Sequence, residues 1–597
     1  MPSKAPTSAA STVALETAAA PSPPRLAGDA TGQAGSRDAL AQLTLAMADL
    51  KAMAIQPILQ RAVDAIHAED WKTAHEWVVK ALKKDAKSGF GWYLMAIVRE
   101  RVGNFAESIT AYETALGLIP EHAEVANDLG RLAYRMDMKP TAEKLFRHFL
   151  LKHPGHVEAV NNLACALRDQ RRFDDAIEAL RPAIVKTPNA TQLWNTMGTV
   201  VAEQGDYPNA EIFFQEALRL DPDFHKGRYN LGNSRLALGD AEGALAACDA
   251  ALAKVKSEDE RQMMLLSRST ILMALGRIGE GWDVYEARLH DQFADTTHFL
   301  FERPRWSPGD DLAGKSLLVV AEQGLGDEIL FSNVLPDVIE RLGPTGRLTL
   351  AVEPRLVSMF QRTYPQARVG AHATYLVAGK TIRYAPFLLK DVDSIALWTP
   401  MGSLLREFRR TVDQFPSRTG FIKADPERVA HWLKVLKGAP AGPKVGLLWK
   451  SAISRDARHR FFSPFELWAP VLKTSGVTFV NLQYGDCSEE LARAKRDFGV
   501  TIWEPPGIDL RQDLDEVAAL SSAIDLVVGF SNATLNIAAA CGAPTWLIST
   551  PGAWTRLGTS RYPWYPQART FTTAAFGAWA PIMAAVGDAL GVYAAEH

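Results

Sequence analysis

The sequence predicts an α-solenoid of helical repeats followed by an α/β region of two doubly wound domains. Three observations lead to this fold class. Prolines recur at a constant interval in the first half, short apolar runs alternate with helical segments in the second half, and a Gly- and Pro-rich stretch at 437–443 divides that second half. A chain of 597 residues is also too long for a single hydrophobic core.

Residues 39–300 are predicted to form the solenoid. Pro120, Pro154, Pro188 and Pro222 lie 34 residues apart, which is the period of tetratricopeptide helix pairs. Small residues recur in phase with them, where two helices have to approach closely. They are Gly130, Ala164, Gly198 and Gly232 at one crossing, and Ala142, Ala176, Ala210 and Ala244 at the next. With weaker units at both ends, we expect about seven stacked helix pairs and a concave groove.

Grooves of this kind commonly hold a partner's peptide, so the repeats predict recognition of a protein. Asparagines recur near the inner helix positions, and their amides can hydrogen-bond a peptide backbone. They are Asn127, Asn161, Asn162, Asn195 and Asn230. The alternative is that the repeats mediate self-association, giving a homo-oligomer, or only stiffen the molecule.

The first α/β domain is expected at 310–437, after a linker at 303–309. Its predicted strands are 316–321, 347–352, 373–377 and 394–397. The first strand leads into the turn Gly324-Leu325-Gly326 and a helix with Asp327 and Glu328 in its first turn. Glycines let a ligand approach the backbone, and the free amides of a helix start favour negative groups. A plain tight connection is the alternative interpretation.

The second domain is expected at 444–570, with a C-terminal helix at 571–597. Its predicted strands are 444–449, 478–483, 526–529 and 545–549. Ligands of doubly wound sheets bind beyond the carboxyl ends of the strands. The polar residues that follow these strands are Lys450, Ser451, Arg455 and Arg460, then Gln483 and Tyr484, then Ser531, Asn532, Ala533 and Thr534. They suit a phosphate or diphosphate, with a solvated loop and an ordinary helix cap as the alternatives.

The charge, the cysteine content and the N-terminal composition indicate which classes of protein this chain can belong to. The formal net charge is -3, from 65 basic and 68 acidic residues, so no nucleic-acid partner is expected. The four cysteines have no CxxC spacing, which indicates core residues of a reducing compartment. The first 38 residues are rich in Ala, Ser, Thr, Pro and Gly without a long apolar run. We therefore expect a disordered tail, with a transit peptide as the alternative, on a cytoplasmic protein that does not insert into membranes.

Five segments carry a family resemblance through their order and spacing. They are AEQGLGDEILFSNVLP at 321–336, VGLLWKS at 445–451, VNLQYGD at 480–486, DLDEVAALSSAIDLVVG at 513–529 and NIAAACGAPTWLI at 536–548. Together they resemble bacterial glycosyltransferases that join tetratricopeptide repeats to a heptosyltransferase-like GT-B domain. With the repeats in front, the chain is most similar to flagellin-modifying protein glycosyltransferases of the FlmG type. This resemblance implies transfer of a nonulosonic acid, such as pseudaminic acid, from its CMP-linked donor to Ser or Thr of flagellin.

The resemblance also implies roles for individual residues. Asp327 becomes the general base of an inverting transfer without a metal, and Lys450, Ser451 and Arg460 become donor-phosphate contacts. The segment from Ser531 to Asn536 becomes the border of the donor nucleotide and sugar. We group with these residues Arg455 for the phosphate, Gln483 and Tyr484 for the nucleotide and sugar, and Gln323, Gly324 and Gly326 as the acceptor-side loop. The expected co-substrate is a nucleotide-sugar, and no other cofactor is expected.

One departure from the family pattern leaves other functions open. The family's Asp and His are missing from SNATLN at 531–536, which fits a different donor or a loss of sugar contacts. The alternatives are a protein glycosyltransferase that uses UDP-N-acetylglucosamine, a transferase for saccharide or lipid-linked acceptors, and a repeat scaffold whose transferase domain is inactive.

Overall fold

The structure is a computed structural model that describes residues 33–377, 379–451 and 460–597. Its contacts divide the chain into two compact units, one that ends at Val200 and one that begins at Val201. The described residues of the first unit form helices and the turns between them. The second unit contains the last helices of the repeat region together with all the strands of the described residues.

Fourteen helices precede the first strand in the described residues, which confirms the predicted repeat solenoid. They are α1 (Gln33–His67), α2 (Trp71–Lys84), α3 (Gly89–Arg101), α4 (Phe105–Leu118), α5 (Ala123–Arg135), α6 (Lys139–Lys152), α7 (Val157–Asp169), α8 (Phe173–Lys186), α9 (Thr191–Glu203), α10 (Tyr207–Leu220), α11 (His225–Ala237), α12 (Ala241–Leu252), α13 (Glu258–Ala274) and α14 (Ile278–Tyr285). Because α1 begins at Gln33, residues 33–38 of the predicted tail are helical, and the rest of that tail lies outside the described residues.

The repeated small residues explain how the helices of the first unit pack. A Cβ at Gly130 would lie 2.8 Å from the Phe146 ring, so only glycine fits there without a shift of the neighbour. Ala142 and Ala176 have no exposed surface. Hydrogen bonds also join successive first helices of the pairs, such as that from the Thr196 hydroxyl to Asn161 Oδ1 at 2.5 Å. Close packing and these polar links together fix the stacking of neighbouring repeats.

Three sheets follow in the second unit. Their strands are β1 (Thr297–Phe299), β2 (Ser316–Val320), β3 (Arg347–Val352), β4 (Arg368–Ala371), β5 (Ala373–Val377), β6 (Lys380–Tyr384), β7 (Leu397–Pro400), β8 (Lys444–Leu448), β9 (Thr478–Asn481), β10 (Leu526–Phe530), β11 (Thr545–Ser549) and β12 (Ala568–Thr572). The orders are β4-β3-β2-β7 and β12-β11-β10-β8-β9, both wholly parallel, and β1-β6-β5 in a small mixed sheet. The two parallel sheets match the predicted pair of strand groups.

Ten further helices flank and connect these strands. They are α15 (Leu325–Phe331), α16 (Leu335–Leu342), α17 (Val357–Thr363), α18 (Leu405–Phe408), α19 (Pro426–Val435), α20 (Ala469–Leu472), α21 (Ser488–Phe498), α22 (Leu514–Ala523), α23 (Ala533–Ala540) and α24 (Trp579–Glu596). One hydrophobic core contains residues of both parallel sheets, among them Leu317, Val319, Val480 and Leu547. Trp282 of α14 lies in the same core and is fully buried. The last repeat is therefore part of the α/β fold.

The structure corrects several sequence-based boundaries. The predicted linker at 303–309 borders β7 instead, because Trp306 is buried and its backbone N–H donates to the Trp398 carbonyl at 2.8 Å. Strand β5 pairs antiparallel with β6, so it does not extend the first parallel sheet. The strand predicted at 394–397 forms at Leu397–Pro400, and β1, β4, β6 and β12 were not predicted. The C-terminal helix, predicted from 571, starts at Trp579. Strand β12 spans the predicted domain boundary at 570.

Candidate functional site

The candidate site lies where a central strand of each parallel sheet ends and a helix begins. Strand β2 leads into α15, and β10 leads into α23. Gly326 sits where the two helix starts meet, because a Cβ there would lie 3.4 Å from Asn536 Nδ2 and 3.6 Å from the Ala533 backbone nitrogen. The structure thus brings together the Gly-Leu-Gly-Asp turn and the segment from Ser531 to Asn536.

The acceptor-side turn, 322–328, has an unusual backbone. Gln323 is exposed and has a φ of 62°, in the left-handed region that non-glycine residues rarely adopt. Gly324 gives its backbone N–H to Asp327 Oδ2 at 3.3 Å. The Asp327 carboxylate is half-buried at the first turn of α15. A strained residue held beside a carboxylate is a pattern found at functional sites.

Buried charged side chains hold the start of this turn. The Glu322 carboxylate accepts two hydrogen bonds from Arg288, at 2.8 and 2.6 Å, and one from the Gly402 backbone N–H at 2.7 Å. Arg383 on β6 donates to the Ala321 carbonyl at 2.7 Å. Glu322, Arg288 and Arg383 are all buried. Sequence reasoning missed these contacts.

Another buried carboxylate holds the end of the turn. Glu328 accepts a hydrogen bond from the Glu353 backbone N–H at 2.9 Å, and its other oxygen lies 2.9 Å from His372 Nε2. Both Glu328 and His372 are buried. The only sequence signal for this arrangement was the pair of glutamates, Glu322 and Glu328, on either side of the Gly-Leu-Gly-Asp turn.

The donor-side segment, 531–536, contains neutral polar groups. Asn532 caps α23 by accepting a hydrogen bond from the Leu535 N–H at 3.0 Å, as the helix-cap interpretation predicted. Asn536 Nδ2 donates to the Asn532 carbonyl at 2.8 Å, and its Oδ1 accepts from the Tyr565 hydroxyl at 2.9 Å. Ser531 is exposed and Thr534 is buried. Only Ser531 and the helix start therefore face solvent directly.

Two buried polar atoms near the N-terminus of α23 have no hydrogen-bond partner among the described residues. They are Asn532 Nδ2 and the Tyr562 hydroxyl. Burial raises the pKa of Tyr562, and the Asp327 carboxylate raises it further, while the hydroxyls of Thr555 and Ser531 lower it. Thr555 and Ser531 are near but outside hydrogen-bonding geometry. Tyr562 is thus a group close to both sides of the site that sequence reasoning missed.

The predicted donor-phosphate contacts have other partners. Lys450 Nζ pairs with Glu490 Oε1 at 2.5 Å. Arg460 pairs with Glu203 at 3.0 Å and lies over the Tyr207 ring, 5.7 Å from its centroid. Ser451 is half-buried next to Lys450, and Arg455 lies outside the described residues. The structure therefore places Arg460 against the end of α9 and the start of α10.

The side chain of Gln483 forms hydrogen bonds with backbone groups. Its Oε1 accepts hydrogen bonds from the N–H groups of Trp449 and Lys450, at 3.0 and 2.9 Å, and its Nε2 donates to the Tyr484 carbonyl at 3.0 Å. Tyr484 lines an open cavity of about 740 Å³ at the carboxyl end of β9. Acidic groups at Asp486, Glu504 and Asp509 and the guanidinium of Arg511 also line it.

The predicted groove asparagines differ in exposure. Asn127, Asn161 and Asn162 are buried, whereas Asn195 and Asn230 are half-buried. Asn161 uses its carbonyl oxygen to accept the Thr196 hydrogen bond. The three buried asparagines therefore contribute to the packing of the repeats. Asn195 and Asn230 have more exposed surface.

Two kinds of feature are absent from the part of the chain that the structure describes. Residues 33–377, 379–451 and 460–597 contain no group of three or more His, Cys, Asp or Glu side chains that could hold a metal ion. Within the same described ranges, none of the helices has the length and apolar character needed to cross a membrane.

Comparison with known proteins identifies the family. The tetratricopeptide repeat family matches residues 93–148, 129–190, 161–224 and 196–260. Protein FlbA of Caulobacter vibrioides is 49% identical over 573 residues, which cover 96% of each chain. The chain belongs to the FlbA family. The match to this relative covers both the repeats and the α/β region.

Two further similarities concern shorter stretches. Human protein O-mannosyl-transferase TMTC1 is 30% identical over 196 residues, which are 26% of this chain and 22% of that protein. Among solved structures, a thermophilic tetratricopeptide repeat protein of Thermus thermophilus aligns with a TM-score of 0.28 and 21% identity. That alignment covers 31% of this chain and 100% of the Thermus chain.

Proposed function

We propose that this protein transfers a sugar from a nucleotide-sugar to Ser or Thr of a protein acceptor. The favoured donor is a CMP-linked nonulosonic acid such as pseudaminic acid, and the favoured acceptor is flagellin. One observation carries the proposal. The turn with Asp327 and the start of α23 meet at Gly326, although they follow strands of two different parallel sheets. A carboxylate and a helix N-terminus side by side supply a base and an anion-stabilising group.

In the proposed reaction, the acceptor hydroxyl loses its proton to Asp327 as its oxygen attacks the anomeric carbon. The bond from that carbon to the donor phosphate breaks, and the phosphate oxygen keeps the electron pair. The backbone amides at the start of α23 and the exposed Ser531 hydroxyl stabilise the departing phosphate. The step is balanced, since the leaving group is an anion and the proton stays on Asp327.

Lys450 is the cation that we assign to the donor phosphate. Its pair with Glu490 is partly exposed, with a third of the lysine side chain accessible. Such pairs contribute about 0 to 1 kcal/mol, so a phosphate can displace Glu490 at little cost. Arg460 has 15% side-chain exposure and is held by Glu203, so we assign it to packing and not to the donor phosphate.

The repeats supply the acceptor-binding part of the proposal. Tetratricopeptide arrays generally bind other proteins, and Asn195 and Asn230 are half-buried on this one. The partial similarity to a relative named protein O-mannosyl-transferase supports a combination of repeats with protein glycosylation.

Intact-mass spectrometry of flagellin tests the proposal. Flagellin would be purified from cells with this protein, from cells without it and from cells with the Asp327→Asn variant, which keeps an oxygen for the Gly324 N–H. We expect a mass increment only in the first sample, because loss of a general base slows transfer by about 100-fold or more. Full modification with Asp327→Asn would exclude Asp327 as the base, and an unchanged flagellin mass would exclude this acceptor.

A repeat scaffold without transferase activity is the second candidate function. The observation in its favour is that both described cations of the predicted phosphate site, Lys450 and Arg460, already pair with carboxylates. The same mass spectra separate the two functions when they are extended to all abundant cellular proteins. A scaffold predicts no mass change on any protein when the chain is removed.

A further inference from the structure

The segment that follows the last repeat helix reaches the acceptor-side turn. Helix α14 ends at Tyr285, and Glu286–Leu289 continue as one short 3₁₀ turn. Trp282 of α14 is fully buried and donates its Nε1–H to the Arg409 carbonyl at 3.0 Å. Its ring makes edge contacts with Phe331 of α15, 6.1 Å between centroids. The last repeat is therefore fixed against the helix that carries Asp327.

Arg288 is the central group of this contact. Its guanidinium forms a two-point hydrogen bond with Glu322 and also donates to Ser403 Oγ at 3.1 Å and to the Tyr285 carbonyl at 3.0 Å. The same guanidinium lies over the Tyr285 ring, 4.2 Å from its centroid. Only 3% of Arg288 and 2% of Glu322 are exposed. The planar Arg288 guanidinium is held in one orientation by these partners. The Glu322 carboxylate, which pairs with it at two points, is therefore held in one orientation as well.

Glu322 in turn fixes the backbone next to the strained residue. It accepts the Gly402 N–H as well as the two Arg288 bonds, and Gln323, with its positive φ, follows directly. A left-handed non-glycine residue persists only where its surroundings hold it. On the other side of Glu322, Arg383 holds the Ala321 carbonyl. The position of the Gly-Leu-Gly-Asp turn thus depends on side chains outside the turn.

We propose that Arg288, through its ion pair with Glu322, is a positioning residue by which the last repeat sets the turn that carries Asp327. This inference rests on the proposed function for its catalytic consequence, although the positioning itself is a structural claim. Buried ion pairs of this kind contribute little net stability compared with an apolar replacement, so stability alone does not explain the arrangement. The need to fix the orientation of the base explains the arrangement, since a displacement of about 1 Å at a reacting group can cost about 100-fold in rate.

A double variant separates positioning from stability. In Arg288→Met with Glu322→Gln, both charges disappear together and the glutamine carbonyl still accepts the Gly402 N–H. We expect a denaturation midpoint only slightly below that of the wild type, because Glu286 loses its contact with Arg288 but stays paired with Arg305, and no unpaired charge is left buried. The matched control is Arg277→Met with Glu280→Gln, an exposed ion pair of 2.6 Å at the start of α14.

The deciding measurement is hydrogen–deuterium exchange of the peptide 321–331 in the full chain. We expect about 10-fold faster exchange in the double variant, no change in the control, and about 100-fold less flagellin modification by intact mass. Unchanged exchange in 321–331, or faster exchange with unchanged modification, would overturn the inference. If the wild type modifies nothing, the proposed function fails, and the exchange measurement still decides whether Arg288 positions the turn.

A conservative variant covers the case in which the double variant does not fold. Arg288→Lys keeps the buried positive charge but loses the two-point geometry and the contact with Ser403. Faster exchange in 321–331 and a lower modification rate at a wild-type midpoint would support the inference. Wild-type exchange and modification by Arg288→Lys would contradict it, since a charge alone would then be sufficient.

Discussion

The two sides of the candidate site are built from different groups. The acceptor-side turn is surrounded by buried ionisable side chains, namely Glu322 with Arg288, Glu328 with His372, and Arg383, and one of their atoms, His372 Nδ1, has no hydrogen-bond partner among the described residues. The donor-side segment contains neutral amides and hydroxyls, and two of its neighbouring polar atoms, in Asn532 and Tyr562, have no partner among the described residues.

This difference indicates different tasks for the two sides. Buried charged groups that are held by hydrogen bonds make a backbone rigid, and each such bond is costly to disrupt. Unpartnered neutral groups cost less to bury than unpaired charges do. Under the proposed function, the acceptor-side turn is fixed before substrates bind, whereas the donor-side segment completes its hydrogen bonds when the donor binds.

The largest effect on stability is expected for Glu328→Ala. This variant leaves the Glu353 N–H and His372 buried without their carboxylate partner, which should lower the free energy of unfolding by about 3 kcal/mol. Denaturant unfolding measures this change. Glu340→Ala, an exposed position on α16, is the control and should stay within about 0.5 kcal/mol. Equal values for the two variants would show that the charges around the turn are not important for stability.

A smaller and pH-dependent effect is expected for Glu286→Gln. Burial opposes the charge of Glu286, but Arg288 and Arg305 hold its pKa below the usual value. A lowered folded-state pKa stabilises the protein above the unfolded-state pKa of about 4.3, and this contribution disappears as the pH falls through the folded-state value. Glu286→Gln should therefore cost about 2 kcal/mol at pH 7 and progressively less below about pH 4.

Unfolding measured across about pH 3 to 7 tests the Glu286 prediction. Glu280→Gln removes an exposed glutamate from α14, the helix just before Glu286, and should give a smaller difference at every pH. A Glu286→Gln difference that stays constant over this whole pH range would mean that the charge of Glu286 is not what stabilises this region.

The smallest effect on stability is expected on the donor side, for Tyr562→Phe. Because the hydroxyl has no hydrogen-bond partner among the described residues, its removal should change the unfolding free energy by less than about 0.5 kcal/mol. Tyr565→Phe is the matched control, since it breaks the bond to Asn536 and should cost about 1 kcal/mol. Flagellin modification should nevertheless fall with Tyr562→Phe. Equal stability losses for the two variants, or full modification by Tyr562→Phe, would contradict the assignment of donor contacts to this side.

Much of the fold is determined by patterns that are local in the sequence. The interval of 34 residues between prolines was sufficient to identify the repeats. Strands β3, β5 and β11 have the bounds that the sequence predicted. The Gly-Leu-Gly-Asp turn and the cap at Asn532 were also visible, because a turn after a strand and a helix start depend on neighbouring residues. The two strand ends that carry these features could therefore be predicted, whereas their contact at Gly326 is visible only in the structure.

Only the tertiary structure decided which charged groups pair. Glu322 stands just before Gly-Leu-Gly-Asp in the sequence, but Arg288 lies just after the last repeat helix and Gly402 just after β7. Arg460 follows a strand as a phosphate contact would, yet it pairs with Glu203 of α9. Side-chain partners of this kind are distant in the chain, and a local pattern contains no information about them. The sequence alone determined the repeats and the two turns, while packing determined that the last repeat fixes one of those turns.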